Sequence, residues 1–405
     1  MYTIYIRDSN FKRIGEITDY NKLELLPRFN ALGSFVLDLP TDCAASRELI
    51  KNKAGIIVKK DGQPIFSGTV SSRKRSFSKN ADTMTLAGKD DMAYLAKRLA
   101  YPVPSADFYL SDYDVRTGKA ETIMKQFVDM NAGPSAPIVS RKVFALEVDK
   151  GLGNTVTGRG RFHTLLDLLT SIALTGGGLG FRVVQVDDSL QFQVYQPSDK
   201  TRSAFFSPLL GNLASFEYSN DNPEANLVIV GGGGEGKDRI IRYKQDNTSI
   251  VKYGRCETFI DKRDTSDVTE LDQSIDEELI NNAEQNSFSF LPIDTPQLAF
   301  NRDYGLGDKV SIVLTQPNEI VTKETLNYFI SFYQTASEET VRIRKIQEKL
   351  DVIQDVVREV KISITPDGDS IAPVVGTSDS NNNAILGIFN KMKKITRRLS
   401  NLERR

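Results

Sequence analysis

Alternation of apolar and polar residues dominates the first hundred positions. Tyr2 to Ile6 and Arg13 to Ile17 alternate around an Asp8-Ser9-Asn10 turn, and Lys22 to Leu26 and Phe35 to Leu39 keep the two-residue period of half-buried strands. Pro40-Thr41-Asp42 is a capping signal for a short helix over Ala44 to Lys51. Ile56 to Lys60, the turn Asp61-Gly62 and Ile65 to Arg75 read as a hairpin, with Thr83 to Ala87 as a further strand. Met92, Leu95, Ala96 and Leu99 share one helical face, so a helix over Asp90 to Leu99 is expected to close a first β domain, residues 1–100.

The period then changes. After the linker Tyr101-Pro102-Val103-Pro104, two amphipathic helices are expected, Ala120 to Asn131 and Phe162 to Leu174, with Gly133 and Gly176 placed for left-handed C-terminal caps. Phe181 to Val186, the turn Asp187-Asp188-Ser189 and Leu190 to Tyr195 form a hairpin, which makes residues 101–215 an α+β domain. Strands return at Leu227 to Val230, Arg239 to Tyr243 and Arg255 to Ile260, with a helix near Ser274 to Gln285. Asn327 to Thr335 and Val341 to Ile346 read as two strands across an acidic turn. That order echoes residues 56–87, so the first domain and a third, 216–350, are expected to share a fold.

Within the third domain, Phe300 to Leu314 (FNRDYGLGDKVSIVL) opens a strand from a glycine-punctuated turn. Tyr304, Gly305, Gly307 and Asp308 are expected to specify that turn: the glycines permit positive φ or close chain approach, and Asp308 can bond its own backbone. Residues 346–362 fit both a heptad and a strand, and the later half is assigned as strand. Thr365-Pro366-Asp367-Gly368 then turns the chain so that Ile371 to Val375 pairs back, giving a β-hairpin extension over 351–376. Residues 377–383 read as a flexible tether. In the last segment, 384–405, Ile385, Ile388, Met392, Ile395, Leu399 and Leu402 recur at spacings of 3 and 4, a coiled-coil seam whose early isoleucines lean towards three strands. A lone amphipathic helix on its own protein, or a basic helix on a membrane or acidic partner, fits the same residues.

Composition narrows the classes of function. Lys plus Arg (52) nearly balance Asp plus Glu (53), so bulk charge does not argue for nucleic acid or a membrane surface, and no apolar run has the length of a membrane span. The N-terminus shows strand alternation without a signal-peptide core. Cys43 and Cys256 are expected as free thiols, too few and too distant for a disulfide framework or a cysteine zinc site.

Candidate chemistry is sparse. Gly231, Gly233 and Gly236 follow the apolar strand at dinucleotide-binding spacing, but Lys237 to Tyr243 lacks the helical stripe that would carry the phosphate, so a bulged glycine turn is expected. His163, the one histidine, stands at a helix start without partners for a triad or metal cluster. Asp187-Asp188 and Glu338-Glu339 lie in expected turns, and Arg73-Lys74-Arg75 reads as a solvated strand face. No catalytic residue, cofactor or metal site is assigned.

Three stretches carry a resemblance: YDVRTGKAETIMKQFVDMNAG (Tyr113 to Gly133), FSPLLGNLASFEYSNDNPEANLVIVGG (Phe206 to Gly232) and RDYGLGDKVSI (Arg302 to Ile312). In this order they resemble the siphophage ReqiPepy-type tail protein family, similar to the baseplate hub proteins of contractile phage tails, over most of residues 1–376. The resemblance implies a mainly β chain with two β-barrel tube domains of similar fold and a helix-containing middle domain on the outside. It implies a homotrimer, in which two tube domains per chain make a ring of six that continues a six-fold tail tube. The implied partners are distal tail or tail tube proteins and a tip fibre, spike or receptor-binding protein, with phage DNA passing through unheld. The implied location is the virion tail tip or baseplate, after synthesis in the host cytoplasm. A tail-associated cell-wall hydrolase and a carbohydrate- or receptor-binding module are the rival readings.

Overall fold

The computed structural model of the 405-residue chain describes residues 2–79, 81–104, 110–292, 295, 298–316, 319–335 and 349–376. They divide into two compact units, residues 1–214 with 291–373, and residues 215–290 with the segment that begins at Val374. The chain thus leaves the first unit and returns to it, a path that the expected domain boundaries at 216 and 350 do not follow.

The first unit begins with β1 (Tyr2–Arg7), β2 (Arg13–Ile17), β3 (Lys22–Leu26), β4 (Ser34–Pro40), the short helix α1 (Ala44–Leu49), β5 (Gly55–Lys60), β6 (Gln63–Ser78) and β7 (Ala81–Asp90). One turn of helix, α2 (Ala93–Ala96), leads to β8 (Asp114–Lys119), α3 (Ala120–Ala132), β9 (Phe144–Leu146), β10 (Thr155–Gly160), α4 (Leu165–Thr175), β11 (Gly180–Val186), β12 (Ser189–Tyr195) and β13 (Phe205–Phe206). The second unit contains β14 (Leu213–Asp221), β15 (Leu227–Gly231), β16 (Ile241–Gln245), α5 (Asn247–Tyr253), β17 (Glu257–Asp261), α6 (Val268–Asn281) and β18 (Gln285–Pro292). The return supplies β19 (Lys309–Thr315), α7 (Lys323–Thr335), β20 (Leu350–Thr365) and β21 (Gly368–Gly376).

Antiparallel pairing orders the main sheet β20-β3-β4-β7-β6-β5-β1-β2. Its strands obey the alternation: Leu23, Leu25, Phe35, Leu37 and Leu39 are buried, while Glu24 and Asp38 fall on the other face. Asp61 (φ +49°) and Gly62 (φ +81°) both take positive φ, the backbone that a two-residue hairpin between twisted strands requires. A bulge between Val70 and Ser72 follows the last β5–β6 partners, Gly55 and Thr69, and beyond it β6 pairs only with β7. Ser71 to Ser78 is therefore a fully exposed edge.

Several expectations need correction. The barrels are not closed among the described residues, because the ends of the strand order do not pair and β2 is five residues long. The expected hairpin extension is part of the main sheet, since β20 pairs with β3 through Ile362 and Leu25 and with β19 through Ile312 and Ile353. Asn327 to Thr335 belongs to helix α7, not a strand: Leu326, Phe329 and Ile330 lie at helical spacing, and Thr322 Oγ1 accepts from Thr325 N. The strand pair that suggested an internal repeat is thereby lost; Val341 to Ile346 lies outside the described residues.

The helix after β7 is only α2, with Met92 and Leu95 buried and Leu99 exposed. Cys43, not Asp42, caps α1, its sulfur accepting from Ser46 N. Neither Gly133 nor Gly176 is left-handed; Gly176 lies where a Cβ would stand 2.4 Å from that of Ala120, and positive φ appears at Gly177 and Gly178 instead.

A second core joins Leu95, Phe127, Leu169, Ile172, Phe181 and Phe192 from α2, α3, α4, β11 and β12, as the helical stripes predict. In the second unit, β15 pairs antiparallel with β16 and parallel with β17, while Leu271 and Ile275 of α6 cover Val228 and Val230. Helix α5 was not expected, although Asp246 caps it and Gly254 (φ +81°) ends it, both recognisable signals.

Asp90, half-buried, closes β7. Its Oδ2 accepts from Gly33 N at 2.9 Å, but Oδ1 has no partner, and burial, with the neighbouring Asp91 charge adding to it, pushes the carboxyl up to about 7. The folded protein thus holds this proton more tightly than the unfolded chain, whose ordinary value is 3.8. The resulting stabilisation is complete below about pH 4 and is lost as pH rises through 7, by up to about 4 kcal/mol. Asp90→Asn is expected to flatten this fall between pH 4 and 8 in urea unfolding; an unchanged pH profile would show that Asp90 does not cause it.

Candidate functional site

The stretch with the strongest local signal, Tyr304 to Asp308, lies where four segments of the first unit meet. Gly305 N donates to Asp308 Oδ2 at 2.9 Å and Asp308 N to Gly305 O at 3.2 Å, which closes the turn on itself. The other carboxylate oxygen, Oδ1, accepts from Ser198 N at 2.7 Å, and Lys309 N donates to Ser198 O at 3.0 Å. Gly307 N donates to Val357 O and Val357 N to Asp308 O, each at 2.9 Å, so the turn enters β19 already paired with β20.

Aromatic rings complete the junction. Tyr304 meets Phe206 edge-on at 5.1 Å and Phe300 at 5.6 Å. Tyr195 donates its hydroxyl to Leu306 O at 3.1 Å and packs edge-on to Phe29. Burial pushes the Tyr195 hydroxyl up to about 12, so it remains a neutral donor throughout the working pH range.

The two glycines differ in what they do. Gly307 has φ +88°, and a Cβ there would stand 2.4 Å from the Phe29 ring; Gly305 has no positive φ, and a Cβ there would meet only Asp308 Oδ2, at 3.8 Å. Both oxygens of its one carboxylate, Asp308, are taken by backbone amides; what the arrangement does chemically is to saturate backbone groups where segments converge. Its partners Phe29, Tyr195, Ser198 and Val357 carried no local sequence signal, because each is chosen by tertiary placement.

A charged network ties β1 to β11. Arg7, fully buried, forms a bidentate pair with Asp91, and its Nη1 reaches Gln185 Oε1 at 2.6 Å and its Nη2 Thr69 Oγ1 at 3.1 Å. Ser67 Oγ donates to Asp91 Oδ2 at 2.5 Å, and Gln185 Nε2 to Phe11 O at 2.5 Å.

The other sequence candidates stay apart. In the glycine loop, Gly232 N and Gly233 N donate to Ile240 O and Thr265 O, while Arg239 takes the carbonyls of Gly231 and Gly232. Two of the loop amides are thus committed, and a 3-10 turn, Gly236–Asp238, stands where a helix would have to begin. His163, Asp187 and Asp188 are exposed. Among the described residues no group of three His, Cys, Asp or Glu side chains is placed to hold a metal, and no helix is long and apolar enough to cross a membrane. Glu338-Glu339 and the seam Ile385, Ile388, Met392, Ile395, Leu399 and Leu402 lie outside the described residues.

Gly307→Val is expected to lower thermal stability strongly, by ~3 kcal/mol or more, since it combines left-handed backbone strain with a clash on Phe29. Gly305→Val should cost about 1 kcal/mol or less. Equal melting temperatures for the two variants would contradict the asymmetry.

Comparison with known proteins follows the same lines. Two solved tail proteins share the fold: the prophage MuSo2 43 kDa tail protein from Shewanella oneidensis, 13% identical with a TM-score of 0.55 over 93% of this chain and 98% of that one, and the tail protein from Neisseria meningitidis MC58, 14% identical with a TM-score of 0.55 over 93% and 97%. Prophage tail protein gp18 from Listeria monocytogenes EGD-e is similar at 9% identity, with a TM-score of 0.51 over 98% and 99%. A search of curated proteins finds no match. The profile of the siphovirus ReqiPepy6 Gp37-like protein family matches residues 3–377, nearly the whole chain including the turn and both units, and the chain belongs to that family.

Proposed function

We propose that this chain is a non-enzymatic structural protein of a phage tail or phage-tail-like particle, a hub at the tail tip in which three copies form a ring. The observation that carries the reading is the open edge of β6. Seven consecutive residues, Ser72 to Ser78, are paired on one side only, in a sheet whose ends do not close among the described residues. Such an edge presents a row of unpaired backbone groups, and a strand from another subunit would satisfy them. The fold shared with prophage tail proteins supports the tail setting. In this reading the ring continues the tail tube, distal tail or tube proteins stack on it, a fibre, spike or receptor-binding protein attaches below, and DNA passes through without specific binding. The six-fold continuation rests on the family resemblance, not on an internal repeat.

Sedimentation velocity of the full chain at micromolar concentration is expected to show a trimer, and a stable monomer would remove the main support. The terminal seam is expected to contribute: Ile388→Asp or Ile395→Asp puts a charge into an apolar stripe at a cost of about 2 kcal/mol per chain and should shift the equilibrium towards monomer. Digestion of peptidoglycan by the purified chain, abolished by changing Asp187 and Asp188, would overturn the non-enzymatic part.

A further inference from the structure

Among the described residues, the three-stranded sheet of the second unit is covered on one face only. Arg242 and Lys244 of β16 reach Asp272 and Asp276 of α6, and Val228, Val230 and Ile260 pack with Leu271, Ile275 and Leu279 of the same helix. Alternation therefore turns Ile229 of β15, Ile241 and Tyr243 of β16 and Phe259 of β17 to the opposite face. Register sets them in a block: Ile229 is the partner of both Tyr243 and Phe259, and Ile241 lies in the next row of that face, across from Gly231.

This block is open to water. Tyr243 is 67% exposed, Phe259 53% and Ile241 52%. Arg239 bounds it at one end: it fills the space a Gly231 side chain would need, pairs with Asp261 and stands 5.5 Å from the centre of the Phe259 ring. At the other end Arg255 pairs with Glu257. The charges at both ends are thus neutralised in place, and what the face offers a partner is apolar.

Size and position select the occupant. Three strands about 4.8 Å apart and about 17 Å long give a footprint of roughly 250 Å², far below the ~800 Å² per partner of a stable interface between free proteins. A second copy or a separate protein would need more surface. A segment on a short tether would not, because its effective concentration is of millimolar order. Such a segment starts beside this sheet. Glu224 N and Ala225 N, just before β15, donate to Asn282 O at the end of α6, at 3.0 and 3.3 Å. Five residues later Ser287 pairs with Gly376, the last residue of β21. Those five residues span at most about 17 Å and residues 377–383 at most about 24 Å, so position 384 can reach the face. Beyond it, Ile385, Ile388, Met392 and Ile395 make a stripe about 15 Å long on a helix, close to the length of the strands.

We propose that, in the single chain, residues 384–395 lie as an amphipathic helix on the open face of β15, β16 and β17, the stripe against Tyr243, Ile229, Phe259 and Ile241 and Lys391, Lys393 and Lys394 in water. Resting on the hub reading above, the same stripe serves two places in turn, this face before assembly and the seam between three copies after it. The face is then an internal competitor: it shelters an apolar stripe until copies meet, and it raises the concentration at which they do.

The test uses the full chain and the double variant Tyr243→Thr with Phe259→Thr, which keeps strand-forming residues at two exposed positions. At nanomolar concentration, trypsin cleavage after Lys391, Lys393 and Lys394 is expected to be about tenfold faster in the variant, while its melting temperature holds. In sedimentation, the variant trimer is expected to form at a several-fold lower concentration than the parent's. Ile241→Thr, milder and leaving both rings in place, should move both readouts the same way. Equal cleavage rates in parent and variants, or a variant trimer weaker than the parent's, would overturn the proposal. A chain that stays monomeric at every concentration while its variants are still cut faster would remove the hub reading and leave the docked helix standing; a trimer with equal cleavage rates would do the reverse.

Discussion

A single ion pair sealed from water, Arg7 with Asp91, is the constraint around which the first unit is assembled. Taking both charges out of water costs several kcal/mol for each, which their mutual contact and the hydrogen bonds from Thr69, Ser67 and Gln185 offset, although Arg7 Nε stays buried without an acceptor. Those partners come from β1, β6, the turn after β7 and β11, so the network forms only when the main sheet and the α+β portion are already in place. Removing either ion would leave the other buried and unpaired, a loss of roughly 3–5 kcal/mol, whereas many apolar contacts nearby are individually replaceable. The Tyr304–Asp308 turn does the neutral version of the same work, saturating the backbone of Ser198 and Val357 where β19 and β20 begin to pair.

Local patterning carried much of this fold. The strands from Tyr2 to Asp90, the hairpin at Asp61-Gly62, the helix from Ala120 and the hairpin at Asp187 follow from two-residue and 3.6-residue periods with recognisable turn chemistry. What patterning missed has a common cause. Arg7 and Asp91 look like solvated charges in sequence, because only the three-dimensional path shows that they face each other away from water. Residues 327–335 are rich in aromatic and β-branched residues and read as strand by propensity, yet Leu326, Phe329 and Ile330 fill one buried stripe and tertiary packing prevailed. In the candidate turn, the role of Asp308 was legible because it acts over three residues; the difference between Gly305 and Gly307 was not, because it depends on Phe29, far away in sequence.

The same reasoning accounts for fold similarity at 13% and 14% identity to solved tail proteins. An alternating strand specifies which face is buried without specifying which apolar residue fills it, and a turn needs a conformation more than a particular side chain.

The edge of β6 has one more consequence. Arg73 and Lys74 stand at the middle of its eight exposed residues, while Arg75 is already paired with Asp82. Two copies meeting edge to edge through this same strand, about a two-fold axis, would bring these cations face to face, an arrangement that like charges on opposed strands disfavour. Such an edge disfavours its own image relative to a different strand. Contacts of that unlike kind are directional, and when repeated they give rings where the rotation closes and open filaments where it does not.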